Sequence, residues 1–398
     1  MLKKFLVDNI TEVNALLLAN IMGVIDKREP IIEKVNPFSY ADNTIRIKKG
    51  NVIPIRVGNI WKVFVVLDDE ILTEANLDAP SSTFQVGTDY AIYLVDDDAD
   101  GRFSISANLT FPAGANADNS RKYGGFHYGH IRKVSADGLN IPIDSEGVAF
   151  GTGSTNWKNN VVTGIVWNSV WDIQNRPKCS PEGMVKIGNL WVDIYQSSAA
   201  EPITLEGGTN GQHVSAGRLQ SKYGMLPVTG TEGLNWYNFA ELAARAGKKM
   251  LTYREWIAAA YGNPGGEDGA DNYGWTKTSN SARARTGCRV SPGDGSFDAA
   301  SGIKPYAISA LNCVDCVGNV YEWLDSIFQR DTGTWGWKNV LGAGKGQVYA
   351  PNDNNPGAAI AGGHWLQGVH AGPRCVSLGN YAWNVNPNIG VRLACDNL

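Results

Sequence analysis

The stretch IPIRVGNIWKVFVVL, Ile53 to Leu67, limits the architecture of this chain more than any other. Ile53, Ile55 and Val57 alternate with Pro54 and Arg56, and Trp61, Val63 and Val65 keep the same period. Period two sends alternate side chains to opposite faces of a strand, and no helix satisfies it. DYAIYLV, Asp89 to Val95, is apolar on both faces, as a strand buried between two layers would be. Turn residues recur, and no long helical pattern interrupts before about residue 165. The spacing predicts an all-β sandwich over residues 46–165. Residues 1–45 carry an apolar run from Ala15 to Ile25 and then a polar stretch, and read as a short N-terminal assembly segment whose own fold the periodicity leaves open.

Beyond residue 165 the texture changes. Trp167, Trp171 and Trp191 fall close together, and NLWVDIY reads as a strand. In NWYNFAELAARAGKK, Phe239, Leu242, Ala243 and Ala246 lie at i, i+3, i+4 and i+7, and Gly247 can stop the helix. LTYREWIAAAYG opens with Thr252 and has Glu255 three residues later, a capping box, with Trp256, Ala259 and Ala260 as its buried face and Gly262 at its end. The remainder is rich in Gly, Asn, Ser and Trp. Long loops on a scaffold usually carry function. The expected second domain is α+β, over residues 166–398.

Length and composition restrict function. A chain of 398 residues holds two or three domains at about 150 residues each. A net charge of −4 argues against a general nucleic-acid partner. Asp8 and Glu12 break the N-terminal apolar stretch, so it reads as neither signal peptide nor membrane span, and no membrane insertion is expected. Cys313 and Cys316 form one C-x-x-C, but no second pair follows with zinc-site spacing. DDDADG, Asp96 to Gly101, has the D-x-D-x-D-G form of a calcium loop, with Asp96, Asp98 and Asp100 as oxygen ligands. Ala107 stands where a bidentate Glu would complete it, so an acidic hairpin turn is the competing reading. No cofactor is required; structural calcium is the single candidate. No serine–histidine–aspartate order, phosphate loop or paired carboxylates stand out, and no catalytic residue is assigned.

Four short motifs then carry a resemblance. LTYREWIAAAYG, GNVYEWLDS (Gly318 to Ser326), GGHW (Gly362 to Trp365) and NIGVRLA (Asn388 to Ala394) occur in order. They are similar to the motifs of the formylglycine-generating enzymes, and this resemblance implies a C-type-lectin-like fold of that subtype. GTDYAIYLVDDD, RKYGGFHYGH, WDIQNRP, GNLWVDIY and the frame Gly362, Gly363, Trp365, Gly372, Arg374, Gly390, Arg392, Cys395, Asp396, Leu398 resemble a second group. These are the phage tropism determinants, variable proteins diversified by a retroelement. The first 45 residues are not clearly matched.

That second resemblance implies a homotrimeric receptor-binding protein at the tail-fibre tip of a virion, with a host cell-surface protein or glycan as partner. It also implies a variable region at about 360–390, rewritten by adenine-specific errors at AAC or AAT codons. Projected onto this frame, the ligand-binding positions are His364, Leu366, Gly368, His370, Ser377, Gly379, Asn380, Asn384, Asn386, Asn388 and Ile389. Such errors cannot produce Trp, and Trp365 and Trp383 fall on framework positions. Asn384, Asn386 and Asn388 sit two apart, on one face if the segment is extended, although Pro387 favours an edge or a loop. The competing reading is a solvated, turn-rich terminus. Trp335, Trp337, Tyr349 and Tyr381 are candidate flanking contacts, and Arg283, Arg285 and Arg289 read as a solvated loop face. Oxidase chemistry is disfavoured, because His370 stands where the formylglycine-generating enzymes have the first of two copper-binding cysteines and only Cys375 matches. A cellular ligand-binding protein diversified in the same way is the alternative.

Overall fold

The computed structural model describes residues 2–6, 30–57, 60–79, 82–97, 101–151, 157, 160–207, 212–265, 283–287, 307–329, 336–338, 348–350 and 356–398. The run Ala15 to Ile25, Asp98, Asp100, Arg289 and Trp335 lie outside the described residues. The chain divides into two compact units, Met1–Trp191 with Asp396–Leu398, and Val192–Cys395.

The first unit is built from short strands. They are β1 (Leu2–Leu6), β2 (Ile32–Lys34), β3 (Ile45–Ile47), β4 (Val52–Val57), β5 (Ile60–Val66), β6 (Glu70–Leu72), β7 (Thr88–Val95), β8 (Arg102–Ser106), β9 (Ser120–Arg132), β10 (Val161–Ile165) and β11 (Trp171–Asp172), followed by β12 (Met184–Ile187) and β13 (Leu190–Asp193). Their sheets run β1-β5-β4, β2-β3-β6 and β10-β9-β7-β8, with β11 paired to β9. Pro54, which cannot donate to a ladder, sits in β4 at the end of its sheet. The doubly apolar β7 is the inner strand between β8 and β9, and Tyr90 through Val95 are all buried. Ile32, Ile45, Ile53, Phe64, Ile92 and Phe126 share one apolar core.

Ile31 and Ile32 therefore belong to the packed body of the unit. Asp172 fixes them there. Its buried carboxylate accepts N–H bonds from Ile31 (2.7 Å), Ile32 (3.1 Å), Gln174 (2.8 Å) and Asn175 (2.9 Å). This explains the WDIQN stretch: one aspartate satisfies its own turn and the entering chain. Gly125 of β9 is obligatory in the same region, because a Cβ there would lie 2.4 Å from the Tyr90 carbonyl oxygen.

The second unit holds β14 (Ser198–Glu206), β15 (His213–Gln220), α1 (Trp236–Arg245), β16 (Lys249–Met250), α2 (Tyr253–Ala259), β17 (Tyr321–Gln329), β18 (Gly336–Lys338), β19 (Val348–Ala350), β20 (Pro356–Ala361), β21 (Val376–Tyr381), β22 (Ile389–Val391) and β23 (Leu393–Asp396). Both expected helices form. In α1, Phe239, Leu242 and Ala243 are buried and Gly247 takes the left-handed conformation, φ 68°. In α2, the Thr252 hydroxyl accepts from Glu255 N–H while the Glu255 carboxylate accepts from Thr252 N–H. No helix among the described residues is long and apolar enough to cross a membrane. The central sheet runs β21-β20-β17-β22, with β22 parallel to β17.

The four motifs meet beneath this sheet. Arg392 and Glu322 are both buried, and the guanidinium donates to the carboxylate twice, at 2.8 and 3.1 Å. Arg392 also donates to the carbonyls of Asp193 (2.9 Å), Ile194 (2.6 Å) and Val314 (2.6 Å). Trp256 N–H of α2 reaches Glu322 at 2.7 Å, and the Gln196 amide reaches it at 3.1 Å. Asn319, with φ 64°, donates to Gln196 at 2.8 Å. Gly362 passes so close that a Cβ would lie 2.4 Å from the Cys316 carbonyl oxygen.

Removing one member of a buried ion pair strands the other. Arg392→Met is expected to destabilise the second unit by about 3–5 kcal/mol, read as a lower urea midpoint. Asp172→Ala removes the carboxylate acceptor of the Ile31, Ile32 and Gln174 N–H groups, while Asn175 keeps the Asp172 carbonyl, and should cost the first unit at least about 2 kcal/mol. A loss under about 1 kcal/mol in either case would contradict the assignment.

Candidate functional site

The segment from Tyr381 to Ile389 leaves β21, crosses the end of the central sheet and enters β22. Its main chain is anchored repeatedly. Ala382 donates to Pro356 (3.0 Å) and accepts from Trp236 (3.0 Å). The Asn386 carbonyl accepts from Gly230 (2.9 Å), and the Asn388 carbonyl accepts from Tyr321 (2.8 Å). Gly230 approaches so closely that a Cβ would lie 2.3 Å from Asn386 N. The turn carrying Gly230 is itself held: Thr229 and Glu232 cap it, and the Glu232 carboxylate receives the Arg283 guanidinium.

Backbone anchors leave side chains free. Asn384, Asn386 and Asn388 are each half-buried, whereas Trp383, Val385 and Pro387 between them are exposed. The asparagines do alternate with their neighbours, but the outermost positions are the intervening ones. Two of the asparagines also serve the loop. Asn384 Oδ1 accepts from Tyr381 N–H at 2.6 Å, and Asn386 Nδ2 donates to Asn380 Oδ1 at 3.1 Å.

Trp383, a framework position of the expected frame, lies at the surface, 43% exposed and stacked on Tyr381 with ring centroids 4.9 Å apart. Leu366, Val376 and Leu378 of β21, and Val385 are exposed as well, so residues 366–388 present aliphatic, aromatic and amide groups and little charge. The signal available in the sequence was the odd-numbered series Trp383, Val385, Pro387, read as the face opposite the asparagines.

The other expected positions divide. Leu366 and His370 are exposed, Gly379 is exposed on β21, and Ser377 and Asn380 are half-buried on the same strand. Gly368 is buried with φ 50° and opens the short turn Gly368–His370. Ile389 is a correction. It is 2% exposed in β22 within the core that includes Phe239 and Trp323, so its side chain cannot reach a surface ligand. His364 is half-buried against Tyr321 (5.5 Å between rings) and Trp365 (5.2 Å). Burial holds its imidazole below the ordinary value. Trp337 and Tyr349 are register partners in the β18–β19 pair.

Arg283 is a second correction: it is half-buried and pairs with Glu232 at 2.5 Å, whereas Arg285 is exposed, as a solvated loop face requires, and donates to the Gly224 carbonyl at 2.9 Å. Cys375 is half-buried beside the Tyr321 hydroxyl, and burial pushes its thiol up. Burial likewise pushes the Tyr321 phenol up to about 12, with the Cys375 side chain adding to the shift. His370, by contrast, lies exposed on its turn. Among the described residues no group of three or more His, Cys, Asp or Glu could hold a metal ion. The Asp96 carboxylate is buried and paired with the Lys62 ammonium, and Asp97 accepts from Gly101 N–H at 3.0 Å.

Comparison with known proteins adds to this geometry. Residues 38–158 match the Mtd second domain, and residues 155–397 match the Sulfatase-modifying factor enzyme 1-like domain. A tail fiber receptor-binding protein of Bordetella phage BPP-1 is 27% identical over 377 residues, which is 89% of this chain and 80% of that protein. Among solved structures, the Major Tropism Determinant M1 and I1 variants are each 25% identical, with TM-scores of 0.58 and 0.59. Each alignment covers 94% of this chain and 87% of the other.

The anchoring predicts a sharp contrast in stability. Gly230→Ala should cost about 1–3 kcal/mol, because its Cβ meets backbone. Asn388→Ala and Trp383→Ala should each stay within about 0.5 kcal/mol, as surface changes do. Urea unfolding of the variants checks this, and equal losses would contradict main-chain anchoring. His364 titrates below its ordinary value of 6.5, so the unfolded chain binds the proton more tightly. Its contribution is present above 6.5 and is lost as pH falls through the folded value. The melting temperature of the wild type should therefore fall more on acidification than that of His364→Phe.

Proposed function

The chain belongs to the Sulfatase-modifying factor enzyme 1-like domain family, and from that premise we propose that it is the receptor-binding protein of a bacteriophage tail fibre. It is a binding protein and not an enzyme. Its second unit is a C-type-lectin-like scaffold, and its first unit is a β-sandwich. The scaffold presents the surface between Leu366 and Asn388 to a host cell-surface protein or glycan.

The observation that carries this reading is the anchoring of residues 382–388 through main-chain atoms. A surface held by its backbone can change its side chains without changing its shape. That is the property a diversified binding site needs. The similarity to the tail-fibre protein extends over 89% of the chain, beyond the lectin-like unit, and so favours a virion protein over an unrelated use of the fold. Exposed Trp383, Leu366 and Leu378 supply apolar contact area, and a few such groups usually dominate binding free energy.

A homotrimer repeated on several fibres would multiply a weak single contact by avidity, by factors of about 10²–10⁴. No cofactor is needed. A calcium ion at Asp96, Asp98 and Asp100 would have to displace the Lys62 ammonium from Asp96.

Sequencing many independent isolates of the gene tests the proposal. Substitutions should concentrate at His364, Leu366, Gly368, His370, Ser377, Gly379, Asn380, Asn384, Asn386 and Asn388. Trp365, Trp383 and Arg392 should not change, and Ile389 should change only among apolar residues. A near-copy of the gene's 3′ end, rich in AAC codons, should lie beside a reverse transcriptase gene. Isolates differing at these positions should adsorb to different host strains. Uniform isolates and a locus with neither element would contradict the proposal.

A further inference from the structure

The binding surface makes no use of the two most deeply buried thiols among the described residues. Cys313 and Cys316 are 0% and 1% exposed, and their side chains are in hydrogen-bond contact with each other. Two residues separate them, and the chain bends at the second, Asp315, which takes the left-handed conformation, φ 61°, as the third position of a four-residue turn can. A β-turn brings its first and fourth Cα atoms within about 7 Å, and a disulfide spans about 4.4–6.8 Å.

The turn is also rigidly held. Cys313 N–H donates to the Ser309 hydroxyl at 3.0 Å, and its carbonyl accepts from Ser309 N–H at 2.9 Å. Val314 donates to Ile194 at 2.7 Å, while its carbonyl accepts from Arg392 at 2.6 Å. Asp315 N–H donates to Ala307 at 2.7 Å, and its carboxylate accepts from Gly287 at 2.8 Å. The backbone between the sulfurs is thus held on both sides of the bend.

We propose that Cys313 and Cys316 are a modification site, oxidised to an intramolecular disulfide by a small-molecule disulfide. One cysteine thiolate attacks the reagent, forming a mixed disulfide and releasing one reagent thiolate. The second cysteine attacks the protein sulfur of that mixed disulfide, forming the Cys313–Cys316 bond and releasing the other reagent thiolate. The protein loses two electrons and two protons, and the reagent is reduced to two thiols. Burial makes the exchange slow and the product resistant to reduction. The cross-link closes the turn that holds Val314 against Arg392, and so staples the segment under the Glu322–Arg392 pair.

The test uses the full-length protein and oxidised glutathione at pH 8, in buffer and in urea just below the unfolding midpoint, where the turn opens. The intact mass should fall by about 2 Da. Thiol titration in denaturant should find two fewer than the six cysteines of the reduced chain. Peptide mapping should join Cys313 to Cys316, and the melting temperature should rise by a few degrees, the scale of about 1 kcal/mol in a domain this size. The C313S variant should stop at a glutathione adduct on Cys316 and show no rise. Six titratable thiols in both conditions, or a cross-link to any other cysteine, would overturn the proposal.

Discussion

The buried pair of Arg392 and Glu322 is the interaction on which the second unit depends. Two charges removed from water need more than each other; every remaining donor and acceptor must also be met. Here Trp256 and Gln196 complete Glu322, and the carbonyls of Asp193, Ile194 and Val314 complete Arg392. The pair therefore ties α2, β17, the junction of β22 and β23, the stretch from Asp193 to Gln196 and the segment of Val314 into one arrangement. Hydrophobic contacts among Phe239, Trp323, Ile360 and Ile389 fill the core, but they do not by themselves specify which loop meets which.

From this point the binding surface follows. β22 is in place because Arg392 is. Tyr321 of β17 then fixes the Asn388 carbonyl, and Gly230 fixes that of Asn386. The loop's path is set by main-chain atoms and by two glycines that allow close approach, Gly230 and Gly390. Side chains from Trp383 to Asn388 project from a course they do little to determine. Asn384 and Asn386 are partial exceptions, because the amide oxygen of Asn384 accepts from Tyr381 N–H and the Asn386 amide donates to Asn380.

Much of this was legible in the sequence, for identifiable reasons. The capping box of Thr252 and Glu255, and the apolar series Phe239, Leu242, Ala243, are local signals, and both helices formed where they pointed. The motif residues Asn319, Glu322, Gly362 and Arg392 were visible individually, but that they converge on one buried network is a long-range fact without local signature. The same limit explains the errors. Ile389 looks like a surface position when counted along the chain, and becomes core only because β22 pairs with β17. Arg283 looks solvated until Glu232, 51 positions away, is brought to it. Trp383 is a framework position that faces water with Tyr381 stacked on it, a placement its residue type alone does not reveal.

The central claim is that the fold holds the shape of this surface whatever side chains occupy it. A library randomised together at Leu366, His370, Ser377, Asn380, Asn384, Asn386 and Asn388, sorted for protease resistance of the displayed full chain, tests it directly. The account predicts that most members stay folded, while a matched library at Trp365, Ile389, Gly390 and Arg392 leaves few survivors. Comparable survival in the two libraries would contradict it.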